Sequence, residues 1–400
     1  MKKLLVLAII LRLLVSAFYF HPDIKTYNFQ ASFFKKGVFN IYSYLIDNKK
    51  SLPLKDEFVY LPLTYFVLGG YQTIASPILG SGFDSWLANA GSNSAVRDPY
   101  IFKYLLILKL PYLILDILAA FLLMKFFDGE KEKKKAFMIW LFNPFTIVLI
   151  YVFGNIDVIP VFLTLVAFLL FKKDKLLAGS LVLGLASGFK MYPILFTPFL
   201  FLIGKDLKEK ISLVSIPLVV LGFILLPFAS QAFVQSALLS GLTTRIFSPG
   251  LPIGFNETII VGLAAMAFLF FQEMQFKNKS NPLKLWASIL LAIFAFSHFH
   301  IQWLLWIAPF IVILIVRYSK FSWLVFTMAC LAFAIPLLYE DRFMTVSLLR
   351  IYSTWYDLLP TPFVVIERFY DPYALQGVLH SILAAGSLVF IWGILKKREI

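Results

Sequence analysis

Twelve apolar runs, each long enough or nearly long enough to cross a bilayer as a helix, dominate this sequence of 400 residues. They fall at about 1–20, 101–127, 136–153, 157–171, 176–189, 191–204, 211–228, 257–275, 284–300, 302–316, 321–339 and 376–395. Charged residues make up only 14% of the chain, against about 25% in a soluble domain. A water-soluble globule is therefore excluded, and the expected fold class is an all-α polytopic membrane protein in one domain, 1–400, with about 12 (11–13) transmembrane helices.

The net charge of +14 sits in the connections, where it reports topology and not nucleic-acid binding. Lys125 with Lys131, Lys133, Lys134 and Lys135, then Lys172, Lys173 and Lys175, then Lys205, Lys208 and Lys210, then Lys277, Lys279 and Lys284, then Arg317 and Lys320 alternate with turns nearly free of base. Lys2, Lys3, Lys396, Lys397 and Arg398 fall on the same side, so the positive-inside rule puts that face and both termini in the cytoplasm. The first run reads as a retained span and not a cleaved signal, because Arg12 interrupts it and no small-residue cleavage site precedes SAFYFHP. Phe58–Leu79 is long enough to cross but would invert the lysine pattern; with Pro62, Gly69, Gly70 and Pro77 it is expected to be a re-entrant or interfacial helix on the outer side. The single cysteine, Cys330, lies in an apolar run and offers neither a disulfide nor a thiolate metal cluster.

Long connections, 21–100, 230–256 and 340–375, all lie on the face opposite the lysines, which is where function is expected. Ionisable groups at span ends are the candidates. Asp23 follows the first span and precedes an amphipathic stretch, about 25–45, broken at Gly37; it can serve as a catalyst or simply cap that helix. Asp157 can bind a sugar hydroxyl or cap a helix. Lys190 can hold a phosphate or snorkel to the interface. Arg245 can contact phosphate or close a loop salt bridge, and Arg342, Arg350 and Arg368 are further cations of the third outer loop. His298 and His300, with Gln302 and Trp303, can be acid–base, ligand-binding or packing groups; two His at i, i+2 do not share a helix face, and metal-ligand spacing is absent. Arg12, Lys109 and Asp116 lie deeper, within spans. No GxSxG, Walker A or GxGxxG context is present, which leaves hydrolase, ATPase and dinucleotide readings without support.

In order along the chain stand HPDIKTYNFQASFFKKGVFNIYSYL, EFVYLPLTYFVLG, LFNPFTIVLIYVFGNIDVIP, LLAGSLVLGLASGFKMYPILFTPFLFL and SHFHIQWLLWIAPF. This succession, over roughly residues 1–310, resembles the GT-C superfamily of integral-membrane glycosyltransferases that take sugar from a polyprenyl-phosphate carrier, and is most similar to its mannosyltransferase branch, which includes the enzyme adding the first mannose of the GPI anchor. The resemblance implies a hexosyltransferase using a polyprenyl-phosphate-linked sugar donor and a lipid-linked or glycan acceptor, by single displacement with inversion. It places the acidic residue of the first outer loop on Asp23, the Tyr-Pro-Pro-Leu-Thr-like element on Tyr60, Leu61, Pro62, Leu63 and Thr64, and the Lys-x-Tyr-Pro element on Lys190, Met191, Tyr192 and Pro193.

Asp23 becomes the expected general base. Lys190 and Arg245 are expected at the donor phosphate, and Tyr60, Asp157, His300 and Gln302 at the substrate. Two departures stand out: Ile24 and Lys25 follow Asp23 where many relatives have Asp-x-Asp, and Leu61 replaces the first proline. No cofactor is certain; a divalent metal is possible but lacks the second aspartate that would support it. The expected location is a prokaryotic cytoplasmic membrane with the active face outside, or the ER membrane in a eukaryote. Competing readings are a lipid-linked sugar transporter or flippase, which should show internal repeats and a midplane site, and a surface-polysaccharide ligase or polymerase.

Overall fold

The computed structural model describes all residues except 1, 91, 241–243, 248–249, 277–280 and 397–400. Four of the basic residues used to orient the chain, Lys277, Lys279, Lys397 and Arg398, lie outside the described residues.

Numbering only the helices used below, the chain runs α1 (Lys2–Phe18), α2 (Pro22–Ser32), α3 (Pro62–Leu79), α4 (Ile101–Met124), α5 (Glu130–Phe142), α6 (Val158–Lys172), α7 (Leu176–Ser187), α8 (Leu207–Leu225), α9 (Val261–Phe276), α10 (Pro282–Phe296), α11 (Leu304–Arg317), α12 (Ser322–Leu337) and α13 (Pro372–Leu395). Among the described residues, four stretches are long and apolar enough to cross a membrane: Ile101–Met124, Leu207–Phe228, Ser319–Leu337 and Pro372–Leu395. Two bent pairs bring the number to six: Lys2–Phe18 with Pro22–Lys36 at 80°, and Glu130–Phe142 with Pro144–Val152 at 45°. The other apolar helices, including α6, α7, α9, α10 and α11, are shorter. The protein is thus a helical polytopic membrane protein. Among the described residues the strands form one antiparallel hairpin, Gly250–Gly254 with Glu257–Ile260, turned by Phe255 and Asn256 at positive φ.

Charges inside the spans find one another. Arg12 of α1 donates to Asp116 of α4 and to the Leu141 carbonyl of α5, while Trp140 and Tyr151 donate to the same aspartate at 2.6 and 2.8 Å. Lys109 donates to the carbonyls of Ser16, Tyr19 and Tyr151 at 2.7–3.0 Å, covering the free carbonyl end of α1. A buried charge is tolerable only when paired and hydrogen-bonded; these three deep residues staple α1, α4 and α5 together and are not part of a site.

The segment holding Pro62, Gly69, Gly70 and Pro77 is one unbroken helix of 18 residues, a helix as expected there. The expectation for the amphipathic stretch after Asp23 needs correction. The interfacial helix starts at Pro22 and is buried through Ile24, Lys25, Tyr27, Asn28, Phe29, Gln30 and Ala31. It packs beneath α3 and the short helix Gly82–Ala88 and does not lie on an open surface. Close approach makes this possible: a Cβ on Gly69 would stand 2.9 Å from the Ala31 carbonyl oxygen and closer still to Phe34. The expected break at Gly37 is present, at φ 75°.

Candidate active site

The site is assembled at helix ends, where backbone groups and side chains are free to face a cavity. Its cavity has a volume of about 310 Å³ and is lined by Asp23, Tyr27, Asp56, Glu57, Tyr60, Lys190, Tyr192, His300, Gln302, Trp303 and Trp306, among others. Of the residues singled out from the sequence, Asp23, Tyr60, Lys190, His300 and Gln302 therefore meet in one place, although up to 279 positions separate them. Asp157 stands directly behind Lys190.

Asp23 is not the cap of α2. That role falls to His21, whose Nδ1 accepts the Asp23 N–H at 3.3 Å. His21 Nδ1 also stands 3.6 Å from Asp23 Oδ2. The Asp23 carboxylate accepts from Gln302 Nε2 at 2.9 Å, and 45% of its side chain stays exposed. One oxygen is thereby oriented while the group remains open.

Asp157 does not cap α6 either: its side chain makes no capping bond. Its own N–H is held by Asn155 Oδ1 at 2.9 Å, and Asn155 in turn donates to the Gln302 carbonyl at 3.0 Å. The Asp157 side chain is 1% exposed and accepts from Lys190 Nζ at 2.9 and 2.7 Å and from the Trp306 indole at 2.7 Å. Lys190 does not snorkel to open solvent; its ammonium lies 5.3 Å from the ring centres of both Tyr60 and Trp306 and keeps 23% of its side chain exposed.

The two sequence elements around Tyr60 and Lys190 are neighbours for a backbone reason. The Leu61 N–H and the Thr64 hydroxyl donate to the Phe189 carbonyl, and the Leu63 N–H to the Gly188 carbonyl, which ties the start of α3 to the residues just past the end of α7. Beyond them, Tyr192 stacks on Trp306 with ring centres 4.3 Å apart and planes 3° from parallel, and Trp303 also stacks on Trp306, at 4.9 Å. These rings form an aromatic wall.

His300 stands where α10 has ended and α11 has not begun. Its Nδ1 accepts the Gln302 N–H at 3.4 Å, and burial, partly offset by Asp23, pulls its imidazole down to about 4. It is neutral at physiological pH. His298 packs against Tyr339 with ring centres 4.6 Å apart and planes tilted by 31°, and is held below its ordinary value first by partial desolvation of its ring and then by Arg245.

The cations divide. Arg245, beside the cavity-lining Ile246, lies close enough to lower both His298 and His300. The third-loop arginines are not brought to the cavity. Arg342 donates to the carbonyls of Asp357 and Leu359, Arg350 is buried against Asp357 at 3.1 Å, and Arg368 is exposed just past the helix Pro362–Glu367. Loop carbonyls and Asp357 take up the first two, which no charge count along a sequence can show.

Asp56, Glu57 and Trp306 line the cavity without having been expected there. The signal for the acids was their place, three and four residues ahead of Tyr60 in KDEFVYLP; Gln30 fixes that strand of chain by donating to the Asp56 carbonyl at 2.9 Å. Among the described residues no three His, Cys, Asp or Glu side chains are grouped as metal ligands.

The family model of glycosyltransferase family 87 matches residues 100–301, a range that contains Asp157, Lys190, Arg245 and His300. The GPI mannosyltransferase 1 of Kluyveromyces lactis is 27% identical over 154 residues, 38% of this chain and 31% of that protein. The GPI mannosyltransferase 1 of Candida albicans is 26% identical over 186 residues, 40% of this chain and 46% of that protein. The matches thus span between about a third and just under half the length of these relatives.

Proposed function

Since the chain belongs to glycosyltransferase family 87, we propose that it is a GT-C-type mannosyltransferase moving a hexose from a polyprenyl-phosphate-sugar donor to a lipid-linked glycan, glycolipid or protein acceptor. The reading includes the shorter helices as spans, about twelve in all, with both termini cytoplasmic and the cavity on the opposite face.

The observation that carries it is a single cavity with an open, oriented carboxylate, Asp23, and a desolvated ammonium, Lys190. In a single displacement the acceptor hydroxyl attacks the anomeric carbon. Its proton passes to the Asp23 carboxylate, the new C–O bond forms on the opposite face of the sugar, and the anomeric C–O bond to phosphate breaks with its electron pair leaving on the lipid phosphate. Lys190, with Arg245 nearby, stabilises that leaving charge, which a water-poor site makes worth more than in solution. Asp157 aims Lys190 through two hydrogen bonds. Tyr60 and Trp303 supply faces for the sugar ring, with Trp306 packed behind them, and neutral His300 and Gln302 supply hydrogen bonds. Charge handling is assigned to these side chains and not to a divalent ion, and activity is expected to survive EDTA.

The test is transfer by the purified protein from a panel of polyprenyl-phosphate hexoses. Asp23→Asn keeps the volume and the bond from Gln302's side of the cavity but cannot take a proton; transfer should fall by about 10²–10⁴ with unfolding temperature unchanged. Full activity in that variant would remove Asp23 as the base, and transport of the lipid-linked sugar without transfer would favour the flippase reading.

A further inference from the structure

A second cavity, of about 920 Å³, lies on the other side of α11. Leu304, Ile307, Ala308, Ile311 and Ile315 form its floor on one helical face, whereas Trp306, on the opposite face, looks into the site. α5 makes one wall with Met138, Ile139 and Phe142, and α12 the other with Trp323, Phe326 and Phe333. The lining is almost wholly apolar, and the cleft is closed at one end, where the rings of Phe145 and Phe333 meet at 4.6 Å.

The other end is basic. Lys134 and Lys135 are exposed one turn before Met138 and Ile139 on the same face of α5, with Glu132 a further turn back. Lys320, also exposed, precedes Ser322 and Trp323 at the head of α12. Arg317 ties this end together by donating to the Phe126 carbonyl at 3.1 Å, just ahead of α5. From Leu304 to Ile315 the floor is about 16 Å long at ~1.5 Å per residue, close to half of a ~30 Å hydrocarbon core.

We propose that this cleft binds an anionic phospholipid, with acyl chains laid along α11 and the phosphate among Lys134, Lys135 and Lys320. The depth selects the occupant: it holds the chains of one leaflet, while a polyprenyl tail would run into the Phe145–Phe333 stop. The lysine rim selects the sign of the head group. The proposal rests on the cleft alone and stands or falls separately from the transfer reaction.

The test exchanges the purified full-length protein into mixed micelles of phosphatidylglycerol and phosphatidylcholine in equal amounts and reads retained lipid by native mass spectrometry. Wild type should retain phosphatidylglycerol preferentially. The variant Lys134→Gln, Lys135→Gln, Lys320→Gln should lose that preference, by about fivefold per lysine, with sugar transfer unaltered. Ala308→Phe, which fills the floor, should displace lipid of either head group. Equal retention of both lipids by wild type, an undiminished preference in the triple lysine variant, or displacement of phosphatidylglycerol by an equal amount of polyprenyl phosphate would each overturn the proposal.

Discussion

Replacing Asp157 by Asn, alone and together with Lys190→Met, separates what the buried pair does for the fold from what it does for the reaction. Asn retains an oxygen for the Trp306 indole but removes the charge that holds Lys190 Nζ at 2.7 and 2.9 Å. Breaking a fully buried pair costs about 3–5 kcal/mol. Lys190 keeps 23% of its side chain exposed toward the cavity, so water recovers part of that loss and about 2–3 kcal/mol is expected. In the double variant no uncompensated charge remains, and its destabilisation should undercut the sum of the two singles by roughly 1–2 kcal/mol. Catalysis should not follow that recovery. Lys190→Met removes the ammonium that faces the departing phosphate, lowering kcat/KM for the donor by about 10²–10³, and the double variant should be as slow as that single. The assays are unfolding temperature in detergent and initial rates against donor concentration. A double variant that regains both stability and wild-type kcat/KM would show the pair to be scaffold only and refute the phosphate role.

Other expectations follow from the same geometry. His300 is held near 4 in the folded chain against about 6.5 unfolded, so the unfolded chain binds more protons between those values and stability falls as pH drops from 6.5 to 4, by at most about 3 kcal/mol; His300→Gln should flatten that part of the unfolding-temperature profile, and an unchanged slope would sink the assignment. Gly69→Ala puts a Cβ against the Ala31 carbonyl and Phe34; a loss of about 1–3 kcal/mol is expected, with reduced transfer because α2 carries Asp23, whereas a neutral substitution would mean that α2 and α3 separate freely. Reporter fusions at Lys133 and Asn93 should read cytoplasmic and external, and the same side for both would void the proposed orientation.

The apolar runs could be read directly, because hydropathy and lysine-rich turns are local properties that a helix in lipid must satisfy within its own sequence. What surrounds each helix is not local. The stretch after Asp23 has an amphipathic pattern, yet its polar members Asn28 and Gln30 are buried because α3 and a nearby loop supply partners: Gln72 Nε2 donates to the Asn28 side chain at 2.8 Å, and Gln30 donates to the Asp56 carbonyl. The same limit applies to the site. Asp23, Asp157, Lys190, His300 and Gln302 were visible as polar groups at span ends, and Tyr60 through the resemblance of its YLPLT element. That Asp157 belongs to Lys190, that Trp306 donates to it, and that Asp56 and Glu57 stand at the rim of the same cavity depend on contacts between distant segments.

The short helices and the buried pair are one feature. α6 has 15 residues and rises about 22 Å from its lysine-rich turn at ~1.5 Å per residue, short of a ~30 Å core. α7 has 12 residues and returns about 18 Å from the same turn. In the proposed orientation Asp157 and Lys190, at the two far ends of this hairpin, are thus held below the opposite interface, where an unpaired charge is costly. They pair with each other, and the space that full-length helices would have filled is the cavity beneath α2 and α3. Lengthening α6 by one turn between Asp157 and Val158 would carry the carboxylate past Lys190 and Trp306 and close the space; in the proposed orientation the hairpin's brevity is therefore what keeps a polar site at membrane depth.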